Sequence, residues 1–242
     1  MKLFRPLALF SVFLMCLLPV TPFTPEISII AQTLPSDVGL ITSLSGEVAY
    51  WNESYQTMPA ETQAFMKIRK GDRFTLPSGS SIQIVYFLGG RQETWMGPTT
   101  FIVGDSESQQ EDGEKHATQP KIRILPAGAT QGVRRIPGLL RRAGLTRPGA
   151  EQVRGETKVS STAIDLSAQE KGEIAAARET YQSLRNQIPE QDITPELYLI
   201  GVLADYDRYD EMGAVIRQAL KRQPDNETLK ELEKWADTKA SE

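Results

Sequence analysis

The sequence predicts a multidomain β + α chain: a small all-β sandwich or roll, then a linker, then an antiparallel α-helical hairpin domain. Three observations carry this. Between residues 38 and 104, short β-branched and aromatic segments are cut by turn residues about every 8 to 12 positions, the rhythm of an all-β domain. Between 166 and 240 the apolar residues recur at helical spacing instead, as in Met212, Val215, Ile216, Ala219 and Leu220. The stretch between them, 105–160, is polar, then basic and rich in proline and glycine, and follows neither period.

The β-region reads in order as "GLITSL", "EVAYW", "FMKIRKG", "SIQIVYF" and "TTFIV". Corners fall at Ser45-Gly46, Gly71-Asp72, Pro77-Ser78-Gly79, Gly89-Gly90 and Gly97-Pro98. In "SIQIVYF", Ile82, Ile84 and Tyr86 share one face, while Gln83, Val85 and Phe87 share the other. Both faces are largely apolar, so this strand is expected in the middle of a sheet.

The linker opens with "DSESQQEDGEKHATQP", acidic and without periodicity. Then "KIRIL", at 121–125, reads as a last strand returning to the β-domain. The basic stretch beyond it carries Arg134, Arg135, Arg141, Arg142, Arg147 and Arg154 against one acid, Glu151. "PGLLRRAG" reads there as one or two helical turns, with Pro137 at the start and Gly144 just past the end.

In the helical region Thr194-Pro195-Glu196 supplies an N-cap, a proline at the first helical position and an acid in the first turn. Asp225 or Asn226 caps a last helix, with Leu229, Leu232 and Trp235 on one side. At an offset of 35, Ala177 matches Met212, Tyr181 matches Ile216, Leu184 matches Ala219 and Pro189 matches Pro224. The pattern resembles the second helix of a tetratricopeptide repeat, whose period is about 34. "LYLIGVLADYDRYDEMGAVIRQALKRQPDN" resembles one degenerate full repeat, with Met212 where alanine is usual and Ile200 where glycine is usual. A plain helical hairpin stopped by prolines is the alternative.

The first residues read as a secretory signal. Lys2 and Arg5 precede the apolar run Leu7 to Val20, and a small residue, Ala31, closes the region. The run is shorter than the roughly 20 residues that span a bilayer. The expectation is a periplasmic or secreted chain cut near Ala31; an uncleaved membrane anchor is the alternative. The only cysteine, Cys16, lies inside the apolar run, so the mature chain would have neither disulfide nor thiol nucleophile. The formal charge of −4 becomes about −5 without the signal, which argues against nucleic acid as a partner.

Taken together, "GEV", "KGDRF", "PSGSSIQIVYFLGG" and "WMGPTTFIV" resemble the FecR domain over about 65 residues. The motif positions are Gly46 with Val48, Gly71 with Asp72, Gly79 with Ser80, Gly89 or Gly90, and Gly97 with Pro98. "AEQVRGETKV" is faintly similar to a segment of longer members, interrupted by Glu156. The family's namesakes are inner-membrane regulators that signal from an outer-membrane transporter to a sigma factor. They carry a cytoplasmic segment before the membrane helix that this sequence does not show. The resemblance therefore implies an envelope β-module rather than the sigma-regulator role.

No catalytic pattern emerges. His116, the only histidine, lies in the polar linker, away from any expected packed pocket. One histidine and no mature cysteine argue against zinc. Asp105, Glu107, Glu111, Asp112 and Glu114 lack the alternation of a calcium loop and read as a hydrated acidic segment. "GDRFTLPSG" lacks the Gly-Lys-Ser/Thr end of a phosphate loop, so its glycines read as corners. No cofactor is implied. The sharpest functional candidates are Arg134, Arg135, Arg141 and Arg142. Forked guanidinium groups suit an anionic partner, or acids of the same chain.

The expected function is a non-catalytic exported adaptor for protein or cell-envelope partners. Alternatives are a component of envelope signalling through a transmembrane sensor or sigma-factor pathway, and a cell-wall or glycan hydrolase. Residues 38–104 and 166–240 are expected as separable units, with the first proteolytic cuts between Asp105 and Pro120.

Overall fold

A computed structural model describes residues 36–52, 58–111, 118–126, 128–145 and 166–242. The signal segment, His116, Asp112, Glu114, Arg147, Arg154 and "AEQVRGETKV" lie outside these residues. Among the described residues no helix is long and apolar enough to cross a membrane.

Among the described residues ten strands make two antiparallel five-stranded sheets: β1 (Asp37–Ser45), β2 (Ala49–Trp51), β3 (Ala60–Glu61), β4 (Lys67–Arg69), β5 (Arg73–Leu76), β6 (Ser81–Tyr86), β7 (Arg91–Met96), β8 (Thr99–Val103), β9 (Ser108–Gln110) and β10 (Lys121–Ile124). The first sheet runs β10-β7-β6-β1-β4 and the second β3-β2-β5-β8-β9. As its two apolar faces require, β6 is central, between β7 and β1. Ile41 opposes Ile84 and Ile82 opposes Trp95.

Alternation along β6 divides the core. Ile82, Ile84 and Tyr86 join Ile41, Phe74, Trp95 and Phe101 in a cluster between the sheets. Trp95 and Phe101 stack at 4.6 Å, and Phe101 and Phe74 at 5.4 Å, so aromatic rings bridge the two sheets. Val85, one residue away on the other face, belongs with Leu40 and Leu125 to a second cluster shared with the helices.

Those helices are α1 (Ala129–Arg142), α2 (Ala168–Gln187), α3 (Thr194–Asp205), α4 (Tyr209–Arg222) and α5 (Glu227–Ser241). Each of α2, α3 and α4 packs on the next, and α1 packs on α3. The stripe read from the sequence faces inward: Met212, Ile216 and Ala219 are fully buried, and Val215 and Leu220 pack against them. Asn226 caps α5 by accepting the Leu229 N–H at 3.1 Å. Residues 38–104 and 166–240, expected as separable, fall within one compact unit, Pro35–Glu242.

The 105–160 stretch holds more structure than a linker. It supplies β9 to the second sheet, β10 to the first, and then α1. Helix α1 starts eight residues before the expected Pro137, which sits inside it. A proline there removes one intrahelical bond. Burial of Val133, Ile136, Leu139 and Leu140 offsets that loss. Where α1 crosses α3, a Cβ on Gly201 would lie 2.1 Å from the Gly132 carbonyl oxygen, so only glycine admits this approach.

Candidate functional site

The four arginines singled out by the sequence all lie on α1, and the structure separates their roles. Arg135 Nε pairs with Asp205 at 2.9 Å. Arg142 donates to the Ala204 carbonyl at 3.1 Å and lies 3.9 Å from Asp207. These two tie α1 to the end of α3. Arg134 lies over the Phe87 ring, 4.8 Å from its centroid, and has no acidic partner among the described residues. Arg141 is exposed and likewise without an acidic partner there. Gln131, Arg134, Gly138 and Arg141 are all exposed. Their spacing makes one solvent-facing strip, with the two cations two turns apart, about 10 Å.

Beside this strip is a cavity of about 390 Å³, lined by Phe87, Gly89, Gly90, Leu125, Thr130, Gln131 and Arg134. It occupies the seam between the Gly89-Gly90 corner, the end of β10 and the first turns of α1. Its floor is apolar and its one charge is the Arg134 guanidinium. The first turn of α1 carries no acid, and its N-cap, Gly128, offers no side-chain cap. Backbone carbonyls of Pro126 and Gly128 take the Ala129 and Gln131 N–H groups at 2.9 and 3.2 Å, and no side-chain anion adds to them.

The glycine, aspartate and serine positions singled out at the corners of the β-region serve there as locks. Asp72, 1% exposed, accepts the Arg69 N–H at 2.7 Å and the Asn52 amide at 2.6 Å. Gly71 beside it has φ of +86°, and its N–H reaches the Val103 carbonyl at 2.9 Å. Ser80, next to Gly79, donates its hydroxyl to the Pro77 carbonyl at 2.7 Å, and its backbone carbonyl accepts the Gly97 N–H at 2.9 Å. Gly46 packs on Ser80, and Gly97-Pro98 makes the β7–β8 turn. Of the motif positions only Gly89 and Gly90 line the cavity.

A buried polar cluster holds the helices to the first sheet, and sequence reasoning missed it. Asp192 is 8% exposed. Its Oδ1 accepts from Gln83 Nε2 at 3.0 Å and from the Thr194 N–H at 2.9 Å. Its Oδ2 accepts from Gln92 Nε2 at 3.0 Å and from Arg123 Nη1 at 3.3 Å. The expected N-cap, Thr194, is instead the first helical residue of α3. Asp192 takes its N–H, while the Thr194 hydroxyl accepts from Gln92 at 2.9 Å and Gln83 at 3.3 Å. Behind it, fully buried Glu196 is held by Arg185 at 2.8 and 3.1 Å and by the Tyr181 hydroxyl at 3.1 Å. The available signal was the polar pair Gln83 and Gln92 on strand positions otherwise suited to a core.

The described acids of the 105–111 stretch find basic partners. Asp105 pairs with Lys70 at 2.6 Å, and Glu111 with Arg73 at 2.8 Å. Among the described residues no group of three or more potential metal ligands assembles. Comparison of the chain with protein-family models, with curated proteins and with solved structures gives no match in any of the three.

Proposed function

We propose that this chain is a non-catalytic exported adaptor of the FecR-domain kind, which engages a protein or cell-envelope partner through the exposed strip of α1. The observation that carries the reading is the division among four neighbouring arginines. Arg135 and Arg142 are spent on acids and a carbonyl of the same chain, whereas Arg134 and Arg141 are exposed without an acidic partner among the described residues. Guanidinium groups held on a rigid helix and free to fork onto an anionic surface suit recognition. In this reading the sandwich and the tetratricopeptide-like helices act together as the scaffold that fixes α1.

The export part of the proposal rests on the Lys2–Ala31 pattern and the FecR-like order of corners. The test is a quantitative pull-down from envelope extract with the mature chain and with an Arg134→Gln/Arg141→Gln variant. A discrete protein recovered by the parent and depleted tenfold or more with the variant is expected. Equal recovery by both would remove α1 from the proposal.

A further inference from the structure

We infer that the cavity at the head of α1 binds a carboxylate bearing an apolar group, the chemistry of a peptide's C-terminal residue. Four features of the lining converge on this ligand.

The charge requirement comes first. Arg134 is the only ionisable residue in the lining. Its guanidinium lies over the Phe87 ring, 4.8 Å from the centroid, and has no acidic partner among the described residues. One guanidinium fork suits a single carboxylate. A dianionic phosphate would call for more positive charge than one arginine gives. The second feature is the first turn of α1, which carries no acid and no side-chain cap and contributes Thr130 and Gln131 to the lining. The third is Thr130, in the first turn of that helix. It is 8% exposed, lines the cavity and has no side-chain partner among the described residues, so its hydroxyl is available to a ligand. The fourth is the floor: Phe87 and Leu125 supply apolar surface beside the cation. A volume near 390 Å³ exceeds what a bare carboxylate fills and leaves room for an aliphatic side chain.

The Gly89-Gly90 corner keeps the mouth open. Gly90 has φ of +66°, and a Cβ there would lie 2.8 Å from the Leu125 carbonyl oxygen, so a side chain would crowd that lining residue.

This inference rests on the adaptor reading for the source of the ligand, a partner's C-terminus. The mature chain is titrated, with NMR detection, by N-acetyl-Ala-Leu as the free acid, by the same peptide as its C-terminal amide, by hexanoate and by inorganic phosphate. The free acid should bind in the millimolar range or tighter and shift the amides of Gly89, Gly90, Thr130 and Gln131. Arg134→Gln should weaken it about tenfold or more, and Arg134→Lys less. Equal binding of acid and amide, tighter binding of phosphate, or no binding of the acid would overturn the inference. Hexanoate binding as tightly as the peptide would overturn its peptide source. If the peptide fails while the arginine-dependent pull-down holds, the adaptor reading stands and only the ligand chemistry falls.

Discussion

Replacing Asp192 by alanine should loosen the whole molecule, because this carboxylate is where strands and helices meet. It accepts four hydrogen bonds, from Gln83, Gln92, Arg123 and the Thr194 N–H. Alanine leaves those donors facing one another in a site that is 8% exposed. The loss is partial: the Thr194 hydroxyl still accepts from both glutamines, and Arg123, whose side chain is 32% exposed, regains water. Weighing an orphaned buried donor at about 1–3 kcal/mol gives a total near 2–4 kcal/mol. For a chain of this size that lowers the urea midpoint by about 1 M. The assay is urea unfolding followed by two probes in a Trp51→Phe/Trp235→Phe background, fluorescence from the remaining Trp95 in the sandwich core and far-UV circular dichroism from the helices. Both transitions should shift down together. A change under about 0.5 kcal/mol, or a helical transition that moves while the Trp95 transition stays, would refute the reasoning.

Four further predictions address other parts of the protein. Gly201→Ala should lower the melting temperature by about 5 °C, since its Cβ would meet the Gly132 carbonyl at 2.1 Å. Gly138→Ala, in the same bundle with nothing within 4 Å, should be neutral or slightly stabilising. Stability should fall as pH rises past about 10. Burial holds the Tyr86 phenol protonated in the fold well above its ordinary 10.0, so over that window the unfolded chain has released a proton that the folded chain keeps. Tyr86→Phe should flatten the urea midpoint between pH 9 and 11, though not wholly, because Tyr209 is also pushed up to about 12 by burial and its bond to Asp207. Last, the exported chain should begin near Gln32; N-terminal sequencing that finds Met1 retained would count against signal cleavage.

What the sequence disclosed followed from local chemistry. The alternation in "SIQIVYF" identified a strand apolar on both sides, and the structure uses both, one for the second sheet and one for the helices. The Met212–Leu220 stripe and the Asn226 cap were equally visible, since periodicity and capping act within a few residues. Helix α1 was harder. Gly132, Pro137 and Gly138 all lower helix propensity, and the crossing with α3 that requires Gly132 is set by residues far along the chain. The Asp192 cluster was harder for the same reason: Gln83 and Gln92 stood out as polar residues on core-suited strand positions, but Gln83 and Asp192 are 109 positions apart, and nothing local names the partner. The arginines were found by composition, but composition alone does not separate Arg135, which pairs with Asp205, from Arg134, which lies over Phe87.

The most direct test of the adaptor account is crosslinking from α1 itself. Gly138 is exposed between Arg134 and Arg141, with open space where a side chain would go. A photoreactive residue placed there in cells should yield a discrete adduct with another envelope component, and Arg134→Gln/Arg141→Gln should abolish it. Adducts that form from a probe on the exposed side of α5 but not from position 138, or that persist without the two arginines, would contradict the account.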